Sequence, residues 1–142
     1  MRGRASGRRV VVLEGNFGAG RRIVRAIRRL GLAVGLAYGC AEAIDLCATA
    51  EPLMLVVDTT LPGWLDVVTT VQAAFGAALP IMLTGPPEGP RVVREAACRR
   101  GYFGKPIDAA ALASAVATEL AADLPGARGP ARSGWSGART PR

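Results

Sequence analysis

Short apolar runs alternate along the chain with longer stretches in which apolar residues recur every three or four positions. The short runs predict five strands, and several are apolar throughout, as is typical of a parallel sheet covered on both faces. They are RVVVL, LAVGLAY, LMLVV, PIMLT and YFG. The longer stretches predict five helices, at residues 18–30, 41–50, 64–75, 88–99 and 108–122.

This alternation predicts an α/β fold. Each strand is followed by a helix, which gives five βα units. Right-handed crossovers between parallel strands then produce a doubly wound sheet with helices on both faces. The functional crevice of such a sheet lies beyond the carboxyl ends of the strands, where the winding direction changes.

Composition and charge divide the 142 residues into three segments. Residues 1–8 form a basic arm, residues 9–123 carry the strand and helix pattern, and residues 124–142 are rich in Gly, Pro, Ser and Arg without apolar periodicity, which predicts a disordered tail. The net charge of +7 comes from these ends, because the middle of the chain is near neutral. Nucleic-acid binding by the folded domain is therefore not indicated.

Several kinds of site are excluded or disfavoured by residue type. The chain has no histidine, which excludes Ser-His triads, Cys-His pairs and His-ligated metals. Its three cysteines have no CxxC spacing, so neither a disulfide framework nor a zinc site is indicated. The longest apolar run, at 30–41, is about half of the roughly 20 residues that a membrane span needs. We expect a soluble, cytoplasmic protein with no membrane contact.

The stretch VVVLEGNFGAGRRIV, residues 10–24, begins like a phosphate-binding loop. Its glycines are spaced G-x-x-G-x-G, whereas the dinucleotide fingerprint is G-x-G-x-x-G, and no acidic residue follows in the LAVGLAYG run about 20 residues later. A P-loop is also disfavoured, because two arginines stand where Lys-Ser/Thr is required.

Polar side chains follow four of the predicted strands at the point where each strand ends. Glu14 follows the first strand, Asp58 the third, Thr84 the fourth and Lys105, the only lysine, the fifth. An acid directly after a fully apolar strand is a desolvated carboxylate that needs a partner. Two carboxylates, a hydroxyl and an ammonium at one sheet edge predict a site for a phosphoryl group and a hard cation.

Over residues 9–122 the chain resembles the receiver domain of two-component response regulators. Four motifs in order support the resemblance: VVVLEGN, LMLVVDTTLPG, PIMLTG and GYFGKPID. It implies a flavodoxin-like sheet with the strand order 2-1-3-4-5. It also implies that Asp58 accepts a phosphoryl group from the phosphohistidine of a histidine kinase or a histidine phosphotransfer protein.

The resemblance assigns roles to the other strand-end residues. Thr84 would bind one phosphoryl oxygen, Lys105 would pair with another, and Tyr102 would rotate inward as Thr84 moves. The Lys105–Pro106 bond would be cis. Mg²⁺ would be bound by Asp58, the carbonyl of Thr60 and Glu14.

The acidic turn departs from the family. Gly15 stands where receivers usually carry a second acid, ordinarily a direct Mg²⁺ ligand, so we expect weak or absent Mg²⁺ binding. The segment TGPPEGPRVV also has three prolines where the switch loop of a receiver normally moves, and these would restrict the rearrangement of Thr84 and Tyr102.

Ordinary structural roles remain open for each of these residues. Asp58 could be a turn acid, Glu14 an acid at a helix N-terminus, Thr84 a strand end, Tyr102 a core aromatic and Lys105 a solvated lysine. Arginines on the first helix are most simply a solvated face; the alternative is a docking face for an acidic partner, centred on Arg21, Arg22 and Arg25.

We therefore expect a stand-alone, atypical receiver with no output domain and no enzymatic activity of its own. It would signal through contacts with a downstream protein target, and a homodimer is compatible with the sequence. The first alternative is a pseudo-receiver that binds partners without phosphorylation. The second, a nucleic-acid adaptor that uses the arginine-rich ends, is less favoured.

Overall fold

A five-stranded parallel sheet forms the centre of the molecule in a computed structural model that describes residues 7–87 and 101–122. The strands are β1 (Arg9–Leu13), β2 (Val34–Ala37), β3 (Pro52–Asp58), β4 (Ile81–Gly85) and β5 (Gly101–Gly104). The helices of the described residues are α1 (Phe17–Arg29), α2 (Cys40–Thr49), α3 (Trp64–Phe75) and α4 (Ala109–Ala122).

The strand order is β2-β1-β3-β4-β5, and every neighbouring pair is parallel. This confirms the predicted α/β class and sheet order. The five strands and four of the five helices lie within two residues of their predicted bounds. The remaining predicted helix, at 88–99, lies outside the described residues, as do most of the basic arm and the arginine-rich tail.

Helices cover both faces of the sheet, as predicted. Helices α1 and α4 pack on one face through Ile23, Ile27 and Val116, against the β1 residues Val10 and Val12. Helices α2 and α3 pack on the other face, where the alternate residues of β1 and β3 point. Since each strand side chain meets one helix layer or the other, the central strands are apolar at successive positions.

Helix α1 starts at the turn that follows β1. The Asn16 side chain accepts a hydrogen bond from the amide of Ala19 at 2.8 Å and so caps the helix. No acidic residue lies in its first turn, whereas Arg28 and Arg29 lie in its last turn, where positive charge is favoured by the helix dipole. Gly31, with φ +86°, then turns the chain toward β2.

The core packing predicts the cost of truncating a central strand. Leu55 of β3 is fully buried between β1 and β4, so Leu55→Ala should lower the free energy of unfolding by about 2–5 kcal/mol. Leu65→Ala is the matched control, because that leucine is 47% exposed on α3 and its loss should change stability by no more than about 0.5 kcal/mol. Urea unfolding of both variants measures the difference; equal effects would contradict the assigned core.

Candidate functional site

Three charged side chains meet at the carboxyl edge of the sheet. The ammonium Nζ of Lys105 lies 2.8 Å from Oε2 of Glu14 and 3.0 Å from Oδ2 of Asp58. Both carboxylate side chains are about 1% exposed. The two acids follow or end the neighbouring strands β1 and β3, and Lys105 directly follows β5, so one lysine bridges two buried acids.

Asp58 is surrounded by hydrogen-bond donors. Its Oδ1 accepts bonds from the amide of Thr60 at 3.0 Å and from the Thr60 hydroxyl at 2.7 Å. Its Oδ2 accepts from the amide of Gly15 at 3.0 Å, in addition to Lys105. Burial works to raise the pKa of Asp58, but these four donors outweigh it and hold the pKa below its usual value. Asp58 is therefore an ionised carboxylate at neutral pH.

Glu14 is less well satisfied than Asp58. Its Oε2 accepts bonds from Lys105 and from the amide of Asn16 at 3.0 Å, while its Oε1 is buried with no hydrogen-bond partner among the described residues. Burial raises the pKa of Glu14 above its usual value despite these two bonds. Burial lowers the pKa of Lys105, but the hydrogen bonds and charges of the two acids raise it further, so the net direction is upward.

Thr84 lies directly beside Asp58, because the two residues are partners in the β3–β4 register. It is about 1% exposed, and its hydroxyl has no hydrogen-bond partner among the described residues. The Thr84 carbonyl accepts bonds from both the amide and the hydroxyl of Thr59, each at 2.8 Å. The backbone of Thr84 is thus fixed while its hydroxyl remains available at the site.

Tyr102 of β5 packs against the core cluster on the α2 and α3 face, and its hydroxyl donates to the carbonyl of Pro86. The Lys105–Pro106 bond is cis, as the resemblance implied. Tyr102 therefore has the position of an aromatic residue packed against the core. Its role as a switch stays a prediction.

Two of the predicted metal ligands, Glu14 and Asp58, form hydrogen bonds with Lys105. Both oxygens of Asp58 already accept two hydrogen bonds, and Lys105 lies between the acids. A side-chain carbon at Gly15 would lie 3.5 Å from Oδ2 of Asp58, so this residue does face the acid, but it would also lie 2.7 Å from a methyl carbon of Leu61. No group of three or more His, Cys, Asp or Glu side chains suited to a metal occurs among residues 7–87 and 101–122.

The predicted docking residues lie on the outer face of α1. Arg21, Arg22 and Arg25 are all exposed. At the start of the helix Phe17 is 59% exposed and stacks on Tyr38 with ring centroids 4.9 Å apart, and the Arg21 guanidinium lies 5.6 Å from the Phe17 ring centroid.

Sequence reasoning missed two residues near the site, Leu61 and Phe17. The signal for Phe17 was a large apolar residue outside the apolar stripe of α1. No sequence signal pointed to Leu61, because the direction of its side chain depends on the loop after β3.

Solved structures identify this fold. The receiver domain of a Francisella response regulator shares 15% identity, with a TM-score of 0.69 over 79% of this chain and 95% of that chain. A LuxR-family two-component response regulator from Aurantimonas sp. shares 28% identity, with a TM-score of 0.67 over 80% and 84% of the two chains. The chain has the fold of a response regulator receiver domain. The Vibrio cholerae chemotaxis protein CheY4 has this fold too, at 16% identity and a TM-score of 0.64 over 81% of this chain and 97% of that one.

No family model and no curated protein matches the sequence. The solved structures confirm the receiver assignment at the level of the fold. In the part of the chain that the structure describes, no helix is both long enough and apolar enough to cross a bilayer.

The opposite pKa shifts of the two acids predict opposite pH dependences. Because the pKa of Glu14 is raised in the folded protein, the parent should gain stability as pH falls from that raised value toward the ordinary value of 4.5. Glu14→Gln cannot show this gain, so its stability relative to the parent should be greatest near neutral pH and decline in that window. The free energy of unfolding as a function of pH measures it, and parallel profiles would contradict the raised pKa.

Asp58→Asn provides the comparison. The Asp58 carboxylate of the parent has a lowered pKa. At pH values above 3.8, the ordinary pKa of aspartate, the variant should therefore be less stable than the parent. This difference should disappear as pH falls through the lowered pKa of Asp58.

Proposed function

We propose that the protein accepts a phosphoryl group at Asp58 from the phosphohistidine of a histidine kinase or a histidine phosphotransfer protein, and signals through protein contacts. One observation carries the proposal: Asp58 lies 3.0 Å from the Lys105 ammonium and is the register partner of Thr84 on the next strand, whose buried hydroxyl has no partner among the described residues. A cation and a free hydroxyl are the two groups that new phosphoryl oxygens need.

The transfer itself requires an ionised acceptor. One oxygen of Asp58 attacks phosphorus and forms a P–O bond while the P–N bond of the phosphohistidine breaks. The electron pair of that bond stays on the imidazole nitrogen of the donor. The hydrogen bonds to Asp58 lower its pKa by more than burial raises it. The nucleophile is therefore already deprotonated at neutral pH.

Phosphorylation would change the hydrogen bonding of the site. The bridging oxygen of the acyl phosphate would lose acceptor capacity, while three phosphoryl oxygens would be added. We infer that Lys105 and the Thr84 hydroxyl bind these oxygens. Movement of Thr84 would break the two bonds from Thr59 to its carbonyl, which provides a route from Asp58 to the surface near Tyr102.

The arginine face of α1 supports a phosphodonor protein with an acidic surface. Arg21, Arg22 and Arg25 are exposed on the helix that begins next to Glu14, and the exposed ring of Phe17 offers an apolar anchor beside them. Aromatic and arginine side chains are the residues most often responsible for binding energy at protein interfaces. The proposal also includes a downstream protein target and is compatible with a homodimer.

A phosphorylation-independent receiver is the second candidate function. It is favoured by Gly15, which stands where receivers usually carry a second acid, and by the four donors that already satisfy Asp58. In that case the α1 surface would bind partners without any change in the phosphorylation of Asp58.

A small acyl phosphate distinguishes the two candidates. Incubation of the parent should add one phosphoryl group by intact-protein mass spectrometry, slowly, with and without Mg²⁺ tested in parallel. Asp58→Asn should show no mass increase. Thr84→Ala should be modified more slowly than the parent, because it lacks the hydroxyl that binds a phosphoryl oxygen. An equal increase in Asp58→Asn, or none in the parent, would favour the phosphorylation-independent function.

Charge reversal tests the docking surface. Arg21→Glu combined with Arg25→Glu should slow phosphotransfer from a phosphorylated histidine phosphotransfer protein by about tenfold or more at low salt, since complementary charge raises association rates by roughly 10 to 10³-fold. Modification by the small acyl phosphate should be unchanged, which provides an internal control. Arg29→Glu, at the far end of α1, is the matched variant and should have a smaller effect.

A further inference from the structure

Positive charge is concentrated on helix α1. The helix has five arginines and no acidic residue, and the neighbouring strand β2 has no charged residue. None of these arginines forms an ion pair with another residue among 7–87 and 101–122. Arg21, Arg25 and Arg29 follow one another at i, i+4 spacing, at which like charges repel. This face of the helix therefore favours a bound anion.

A groove runs along the flank of α1 that faces β2. The helix packs against α4 on its other flank, whereas β2 is an edge strand of the sheet and has a neighbouring strand on one side only within the described residues. The groove has a volume of about 460 Å³. It is lined by two apolar residues and four arginines, which are Val24, Leu36, Arg21, Arg25, Arg28 and Arg29.

The groove has an apolar floor and a charged rim. Val24 of α1 is 7% exposed, and Leu36 of β2 is partly buried against the same core cluster. Gly20 lets the helix lie close to β2, because a side-chain carbon at this position would be 3.1 and 3.2 Å from the two methyl groups of Leu36. The four arginines are all exposed. An apolar floor beneath a cationic rim fits a ligand that has both an apolar part and a dense negative charge.

The size of the groove and the type of its charged groups indicate the ligand class. Its volume lies within the range of roughly 300–1,000 Å³ that is usual for small-molecule sites. The arginines extend over about 12 Å of the helix, which suits a few linked anionic groups rather than a long polymer. Guanidinium groups bind phosphate with two parallel hydrogen bonds. The helix dipole places about half a negative charge at this end of α1, and Arg28 and Arg29 exceed it.

We propose that the groove between α1 and β2 binds a small organic polyphosphate, with its phosphates on the arginines and its apolar part on Val24 and Leu36. The site lies outside the acidic pocket and does not depend on phosphorylation of Asp58. Arg21 and Arg25 also belong to the docking face, so a bound polyphosphate and an acidic partner would exclude each other. That consequence, unlike the site itself, rests on the proposed function.

Isothermal titration calorimetry on the full chain tests the groove, with inorganic tripolyphosphate and ATP as the probes. Both should bind the parent saturably in metal-free buffer at about 0.15 M ionic strength, where exposed charges are largely screened. ATP should bind more tightly although it carries less charge, because its adenosine adds contact with the apolar floor. Arg28→Gln should weaken both by about tenfold or more, since a hydrogen bond between charged groups contributes at least this factor.

Arg22→Gln is the matched control, because Arg22 is exposed on the same helix but does not line the groove. It removes the same charge as Arg28→Gln and should leave both affinities nearly unchanged. Leu36→Ala should weaken ATP binding and leave tripolyphosphate binding unchanged. Circular dichroism verifies that each variant is folded, and Leu36→Val replaces Leu36→Ala if the latter is not.

Three outcomes would overturn the proposal. The parent could show no saturable binding of either probe. Arg22→Gln and Arg28→Gln could have equal effects, which would assign binding to diffuse surface charge or to the arginine-rich ends of the chain. ATP could bind no more tightly than tripolyphosphate, which would show that the floor contacts no organic part. Since calorimetry uses the unphosphorylated protein, none of these results depends on the acyl phosphate experiment.

Discussion

The bridge from Lys105 to two buried carboxylates is the interaction on which the rest of the site depends. Two acids that are almost fully removed from water repel each other and lose hydration, and a single ammonium at 2.8 and 3.0 Å offsets part of both costs. The bridge also links segments that are distant in the sheet, because β5 is two strands away from β3. Loss of this lysine would remove the ammonium that pairs with both buried acids.

The pKa values of the two acids differ because the backbone donates more hydrogen bonds to Asp58 than to Glu14. Asp58 ends a strand, and the turn that follows directs the Thr60 amide and hydroxyl at one oxygen, while the Gly15 amide approaches the other. Glu14 has one amide donor, and one of its buried oxygens has no hydrogen-bond partner within residues 7–87 and 101–122. Burial acts on both acids, yet only in Asp58 do the hydrogen bonds outweigh it, so the pKa values move in opposite directions. Asp58 is thus the better-stabilised anion.

The turn after β1 connects the buried site to the surface. It contains Glu14 and Gly15, which contact Lys105 and Asp58, and then Asn16, which caps α1. The next residue, Phe17, is exposed at the start of the arginine face. A partner bound to this face would lie directly beside the acidic pocket. Close approach of a donor group to the acceptor is what a transfer reaction requires.

Much of the fold could be predicted from the sequence, because the signals were strong and local. Apolar runs such as RVVVL and LMLVV are long enough to predict buried parallel strands, and parallel strands bring their carboxyl ends to one edge. That rule was sufficient to group Glu14, Asp58, Thr84 and Lys105. The cis Lys105–Pro106 bond and the sheet order came from the family resemblance and agree with the structure.

The finer chemistry was decided only by tertiary structure. Nothing in the sequence indicates that Leu61 lies against Gly15 or that Tyr102 donates to Pro86. Nor does it indicate that one oxygen of Glu14 has no partner in the described part of the chain. Each of these contacts depends on how a loop is oriented against another segment, and loops have no periodicity from which a side-chain direction can be inferred. The sequence by itself determined which residues meet at the edge of the sheet. Only the packed structure determined which oxygens are satisfied and which space is filled, because hydrogen bonding and steric exclusion depend on distances of a few tenths of an ångström.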